Sequence, residues 1–332
     1  MANIAILGCG FGTALAVMLN DTGHNVVCWS KYRDEIDAIL RDKEHKKLLP
    51  GVKLSDSIAF TSDPSCVKDA DLLIIAIPSR FVREASAAVA PYVSPETVLL
   101  NVGKGFEKKT YKRLSQVISQ EIPHNPVVVM AGPCHAEEVA RGVPTSVVVA
   151  SDFPGKAAYV QEMIMSPTFR VYLSDDVIGC EAAPALKNAI ALCCGIAEGM
   201  GLGDNTLAAL MTRGLTEITR LGVAMGAKWE TFTGLAGVGD LIVTCTSVHS
   251  RNHRAGLLIG KGEQVEKAVE QVGTVEGYGC CKIAYMLSEK MNVQMPIIQQ
   301  LYKVCFMGIT PMDAVKNLMT RPKKEEKEPF WR

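Results

Sequence analysis

The chain is 332 residues long, 48% hydrophobic, and carries 35 basic residues against 35 acidic ones. A length above the ~250–300 residues at which single cores stop growing predicts two domains. The balanced charge excludes a global field that would recruit nucleic acid or an anionic membrane, so any anion specificity must be built locally.

Short apolar, β-branched runs recur through the first half: "IAIL" (4–7), "NVVCW" (25–29), "LLIIAI" (72–77), "TVLLN" (97–101), "PVVVMA" (126–131), "TSVVVAS" (145–151) and "FRVYLS" (169–174). Segments of helical composition lie between them. This alternation predicts a largely parallel, doubly wound sheet with helices on both faces, a Rossmann-like α/β domain.

Between the first strand and the helical "TALAVMLNDTG" stands "GCGFG". A dinucleotide-binding fingerprint reads G-x-G-x-x-G, and this one reads G-x-G-x-G, but it sits in the strand–turn–helix–strand context where such a turn binds a pyrophosphate. Gly8 would permit the tight turn, Gly10 would let the backbone approach the phosphates, and Gly12 would close the helix against the strand. The early arrival of Gly12 implies a loop shortened by one residue. At the end of the second strand an acid would hold a ribose 2′-hydroxyl and a base would accommodate a 2′-phosphate. The run "CWSKYRDE" puts Ser30 and Lys31 there with Arg33 nearby, which leans towards NADPH over NADH, although Asp34 and Glu35 follow.

From about Val177 the pattern changes to long stretches rich in Ala, Leu, Gly and Met, including "DVIGCEAAPALKNAIALCCGIAEG" and "GDNTLAALMTRGLTEITRLGVAMGA". These predict the buried helices of an all-α second domain, giving a dinucleotide-binding domain over 1–176 and a helical substrate-binding and catalytic domain over 177–332. The tail "RPKKEEKEPFWR" reads as a solvated, frayed terminus. Eleven scattered cysteines show neither a Cys-x-x-Cys pair nor a zinc-like spacing with histidine, so they read as reduced, mostly buried thiols and no metal is expected. Together with an N-terminus lacking a basic leader, and with no run reaching the ~18 apolar residues of a membrane span, this predicts a cytoplasmic protein without a membrane segment.

Four further stretches are too specific for packing alone: "NVGKGFE" (101–107), "AGPCHAEEVARGVPTS" (131–146), "ALKNAIA" (185–191) and "TGLAGVGDLIVTCTSVHSRNHRAG" (233–256). On these residues the chain resembles the bacterial NAD(P)-dependent sn-glycerol-3-phosphate dehydrogenases, from residue 3 to about residue 316. Lys104 and Gly105 match that family's Lys-Gly pair, Gly132 and Pro133 its Gly-Pro-Ser, Lys187 and Asn188 its Leu-Lys-Asn. Asp240, Thr244 and Cys245 match its Gly-Asp-Leu-x-x-Thr-Cys, while Ser250, Arg251 and Asn252 match its Ser-Arg-Asn. The resemblance also implies a second domain similar to the C-terminal domain of 6-phosphogluconate dehydrogenase.

The implied reaction moves a hydride between a nicotinamide, NADPH or NADH with NADP(H) favoured, and C2 of dihydroxyacetone phosphate or sn-glycerol 3-phosphate. It would supply the glycerol 3-phosphate of phospholipids. A proton must then move on the C2 oxygen, and Lys187 suits that role, its pKa lowered by desolvation and by a second ammonium such as Lys104. Asp240 would pair with or orient Lys187. Lys104 would polarise the C2 carbonyl. Arg251 and Asn252 would offer a planar donor fork to the substrate phosphate, with Ser250 and Thr244 as hydroxyl donors. Gly132, Cys134 and Asn188 complete the implied substrate site. Gly8, Gly10, Phe11, Gly12, Lys31, Lys104, Ala136, Arg251 and Glu276 form the implied cofactor site. His135 reads as a helix-start residue and His253 as peripheral. Because the family often forms dimers, the apolar second domain could supply a homodimer surface.

Two departures stand out. "GCGFGT" lacks one residue of the family's Gly-x-Gly-x-Trp/Phe-Gly-Thr, which predicts a working but altered loop. In "EAAPALKN", Ala183 and Pro184 replace the usual Gly-Gly, predicting either a helix that starts late or a kink that aims Lys187. Two other readings stay open: a related β-hydroxyacid dehydrogenase on the same plan, and a non-catalytic dinucleotide-binding module.

Overall fold

The computed structural model describes residues 1–331. The chain forms two compact units, Met1–Glu181 and the residues from Ala182 onward.

The first unit is built on eight strands: β1 (Asn3–Leu7), β2 (Asn25–Trp29), β3 (Ala59–Thr61), β4 (Leu72–Ile75), β5 (Val98–Asn101), β6 (Val127–Ala131), β7 (Thr145–Ala150) and β8 (Phe169–Ser174). They form one sheet in the order β3-β2-β1-β4-β5-β6-β7-β8. Every pairing is parallel except that of β6 with β7. The chain therefore reverses its direction of winding between β1 and β4, the switch point at which open α/β sheets bind ligands. Helices α1 (Phe11–Asp21), α2 (Arg33–Asp42), α3 (Val82–Val89), α4 (Leu114–Glu121), α5 (Ala136–Ala140) and α6 (Lys156–Ile164) connect the strands.

Strand side chains alternate between two cores. Ile4 and Ile6 pack with Leu15 and Leu19 of α1, whereas Ala5 and Leu7 pack with Val82 of α3 and Val117 of α4. Burial on both faces explains why β1 and β4 read as continuous apolar runs; each fully buried Leu or Ile contributes roughly 1.5–3 kcal/mol.

The second unit is helical. It contains most of α7 (Val177–Gly199), then α8 (Asp204–Ala224), α9 (Trp229–Thr233), α10 (Asp240–Thr246), α11 (Arg251–Gly260), α12 (Val265–Val272), α13 (Glu276–Met291), α14 (Pro296–Met307) and α15 (Pro311–Met319). The α/β domain followed by an all-α domain is thus the expected architecture.

Four expectations need correction. Strand β3 was not anticipated, because an edge strand of three residues leaves no periodic signal. Helix α7 does not start late: it begins at Val177 and runs on through Pro184. Tertiary burial of nearly every neighbouring side chain offsets the hydrogen bond that proline removes. By length and composition α7 does reach the size of a membrane span, but 89% of its most apolar 18-residue stretch is buried inside the fold. Finally, the tail is tied down at one point: residues 321–327 are exposed as expected and residue 332 lies outside the described residues, but Glu328 is anchored. Glu328 is 1% exposed and accepts from Arg220 at 2.5 and 2.7 Å and from Arg213 at 3.2 Å.

Candidate active site

In the first unit, β1 runs into the turn Gly8–Cys9–Gly10, and α1 begins at once with Phe11. Gly8 has φ +99°, and a Cβ there would lie 2.6 Å from the carbonyl oxygen of Ala76 just beyond β4, so only glycine fits. Gly12 lies flat on the strand, 2.8 Å from Ile6 Cγ2 by the same measure. Gly10 faces open space, with only Leu48 at 3.5 Å. No side chain caps α1 and no acid stands in its first turn, so its N–H groups and positive dipole end are available to an anion. Thr13, which sequence reasoning passed over, braces the turn by donating to the Cys9 carbonyl at 2.6 Å. The three-residue turn and uncapped helix fit the pyrophosphate of a dinucleotide.

At the end of β2, Lys31 Nζ meets Glu84 at 2.8 Å and lies 5.2 Å from the ring centroids of both Tyr32 and Phe81. The Glu84 hydrogen bond raises the Lys31 ammonium above the ordinary lysine value. Glu35, a partly buried acid of the same segment, accepts from Ser30 Oγ at 2.5 Å and faces His45 Nε2 at 3.3 Å. The His45 contact holds its carboxyl below the ordinary value. Beyond β5, Lys104 Nζ donates to the Gly132 carbonyl at 3.0 Å, and Cys134 Sγ donates to the same oxygen at 3.3 Å. His135 occupies the N-cap position of α5, whose first residue is Ala136.

In the second unit the sequence-predicted residues cluster around the middle of α7. Lys187 Nζ lies 2.6 Å from Asp240 Oδ1, with the two side chains 3% and 1% exposed. It also donates to the Asp240 carbonyl at 3.2 Å and to Thr244 Oγ1. Three oxygens of α10 thus surround the ammonium, and Thr244 Oγ1 is itself fixed by donating to the Asp240 carbonyl at 2.6 Å. A wide π-type turn, Leu235–Gly239, delivers Asp240 as the first residue of α10. Such turns are frequent at functional sites because they re-aim the following side chain.

Arg251 opens α11. Its guanidinium is exposed and has no ion-pair partner among the described residues. Ser250 caps that helix by accepting the His253 N–H at 3.2 Å, and His253 Nε2 contacts Glu198 at 2.9 Å. The Arg251–Asn252 fork expected from sequence does not form as such. Asn252 is buried, donating to Asn188 Oδ1 at 2.9 Å and accepting the Gly277 N–H at 2.8 Å, while Asn188 Nδ2 donates to the Pro184 carbonyl at 3.2 Å. The two amides bridge α7, α11 and the start of α13, where Glu276 is the first residue, and only the Arg251 guanidinium of that expected pair is exposed.

What sets α11 against α7 is a backbone contact the sequence reading missed. A Cβ at Gly195 would lie 2.1 Å from the His253 carbonyl oxygen, and one at Gly256 would lie 2.3 Å from that of Leu192. The signal was present as glycines four apart, "GIAEG" on α7 and "GLLIG" on α11, the spacing that lets two helix backbones touch. The second unit therefore offers a buried, carboxylate-held ammonium on α7 and an exposed guanidinium at the start of α11, groups suited to moving a proton and to binding an anion.

Known proteins match along the same two segments. Residues 3–157 match the sequence family described as the N-terminus of NAD-dependent glycerol-3-phosphate dehydrogenase, and residues 176–316 match its C-terminus. The chain is 50% identical over 330 residues to the glycerol-3-phosphate dehydrogenase [NAD(P)+] of Desulfitobacterium hafniense strain Y51, covering 99% of this chain and 94% of that protein. It is 49% identical over 330 residues to the protein of that name from Moorella thermoacetica, covering 98% of each. Among solved structures, it is similar to the glycerol-3-phosphate dehydrogenase of Coxiella burnetii, with a TM-score of 0.92, 35% identity, and coverage of 96% of this chain and 99% of that one.

Proposed function

We propose, from the premise that this chain belongs to the NAD-dependent glycerol-3-phosphate dehydrogenase family, that Lys187 moves the proton of its reaction. The enzyme interconverts sn-glycerol 3-phosphate and dihydroxyacetone phosphate with NAD(P)(H). The bound dinucleotide supplies or accepts the hydride at C2. In the reducing direction Lys187 gives a proton to the C2 oxygen, and in the oxidising direction it takes that proton back, a step worth typically ~10²–10⁴-fold. Asp240 and Thr244 hold the ammonium in place, and the C2 oxygen takes the position of one of the three α10 oxygens around it. Lys104 polarises the C2 carbonyl. Arg251 grips the phosphate.

The first unit holds the dinucleotide on Gly8–Gly12 and Lys31, and the second supplies Lys187, Asp240, Thr244 and Arg251. The single observation that carries this reading is the buried Lys187–Asp240 pair, since a desolvated ammonium within a helical core is expensive unless its position is needed. NADPH is the favoured cofactor, supported by Lys31 at the end of β2 and by the engagement of Glu35 with Ser30 and His45. The reading extends to a cytoplasmic enzyme supplying glycerol 3-phosphate for phospholipids. Its eleven cysteines, none of them in a disulfide among the described residues, support that location. It also extends to a homodimer in which exposed Met307, Met312 and Met319 supply apolar surface.

Steady-state reduction of dihydroxyacetone phosphate, followed by nicotinamide absorbance, tests the phosphate assignment. Arg251→Met is expected to raise the KM for dihydroxyacetone phosphate by about 10²-fold while leaving the weak reduction of unphosphorylated dihydroxyacetone in place. An unchanged KM would overturn the role of Arg251.

A further inference from the structure

We propose that Glu84 tunes the enzyme's choice between NADPH and NADH by holding the Lys31 ammonium that a cofactor 2′-phosphate would otherwise claim. This rests on the reading that Lys31 faces the ribose 2′ position, and adds the residue that opposes it.

Lys31 lies two residues beyond the end of β2, where the 2′ edge of a bound dinucleotide is recognised. Its ammonium is not a free tether. The faces of Tyr32 and Phe81 flank it at 5.2 Å, and Arg80 lies over the Phe81 ring at 4.6 Å, so a small cationic and aromatic platform forms where the segment after β4 meets the end of β2. Glu84, in the first turn of α3, closes on that platform from 53 residues away in sequence. Lys31 and Glu84 remain 38% and 62% exposed, so the pair is open to exchange.

The two cofactors meet this pair differently. A 2′-phosphate is an acceptor carrying negative charge: to reach Lys31 it must displace the Glu84 carboxylate or share the ammonium with it, like charge against like. A 2′-hydroxyl is a donor as well as an acceptor, so it can give its hydrogen bond to Glu84 with Lys31 left in place. Glu35 is not placed to do the same, because it is turned towards Ser30 and His45. Glu84 is therefore a positioning residue that restrains NADPH and tolerates NADH, making one β2 terminus serve both cofactors.

The test measures the dissociation constants of NADPH and NADH by fluorescence titration without substrate, alongside their KM values, in the wild type, Glu84→Gln, Lys31→Met and the double variant. Glu84→Gln should lower the KM for NADPH by about fivefold and leave that for NADH within about twofold, because glutamine keeps an acceptor and loses the charge. The NADPH gain should shrink at high salt and vanish when Lys31 is methionine. A purely structural role for Glu84 would move both cofactors together, and that result, or a gain that persists without Lys31, overturns the proposal. If Lys31→Met raises the KM for NADPH while Glu84→Gln is silent, only the Glu84 assignment fails. If Lys31→Met leaves NADPH unaffected, the reading of Lys31 fails and takes this one with it.

Discussion

The middle of α7 and the end of β2 carry the same chemical pair, a lysine against a carboxylate, in opposite surroundings. Lys187 and Asp240 are 3% and 1% exposed at 2.6 Å; Lys31 and Glu84 are 38% and 62% exposed at 2.8 Å. Distance alone would rank them together. Burial separates them, because the inner pair has surrendered its hydration and each charge now depends on the other, while the outer pair can trade its partner for water or for a ligand at little expense. As proposed, the inner pair fixes where a proton is delivered and the outer pair chooses which ligand is accepted. A rigid helical core suits the first task and a solvent-facing strand end the second.

The largest effect should come from breaking the inner pair. Asp240→Ala leaves an uncompensated buried ammonium and should destabilise the second unit by about 3–5 kcal/mol, read as a lower denaturant midpoint. The same truncation at Glu84 should leave that midpoint nearly unmoved, and equal shifts would erase the contrast drawn above.

Two further carboxylates sharpen it through pH. Glu217 is buried and accepts the backbone N–H groups of Ile297 and Ile298 at the start of α14, at 2.8–3.2 Å. Burial pushes its carboxyl up to about 7 from the ordinary 4.5. The folded protein therefore binds more protons than the unfolded one between about pH 4.5 and 7. This contribution is complete below that window and is lost as the pH rises through it, by up to about 3 kcal/mol. Glu217→Gln should flatten the stability profile over that range when unfolding is followed by urea titration at stepped pH.

Glu328 has the opposite sign. Its hydrogen bonds with Arg220 hold the carboxyl down at about 2, so its contribution is present above the unfolded carboxyl range and is lost as the pH falls towards 2. Glu328→Ala leaves Arg220 without its carboxylate and should cost about 2 kcal/mol at neutral pH, with the tail becoming open to limited proteolysis. A tail cleaved as readily in the wild type as in the variant would return it to the frayed terminus expected from its charge run.

Features that depend on neighbours in sequence were legible from the start. The strands of the first unit announce themselves because a sheet covered on both faces demands apolar β-branched runs, and "GCGFG" is informative because a strand precedes it and a helix follows. Lys187 and Asp240 stood out as charges inside apolar stretches. What stayed hidden depends on partners far along the chain. Glu328 looked solvated because its arginines lie 108 and 115 residues away, and Glu84 went unremarked because Lys31 lies 53 residues before it. Asn252 reads as a ligand in "SRN", yet its amide is claimed by Asn188 and Gly277. Pro184 reads as a helix breaker, a local penalty that the buried surroundings of α7 override.

The role proposed for Lys187 is to move the proton. It is tested most directly by single-turnover hydride transfer from bound NADPH to saturating dihydroxyacetone phosphate in Lys187→Ala, with cofactor binding measured separately by fluorescence. Cofactor affinity should stay within about twofold of the wild type while the transfer rate falls by ~10²–10⁴-fold. A rate within about tenfold of the wild type, with both ligands bound, would fall short of any proton-transfer role and would contradict it.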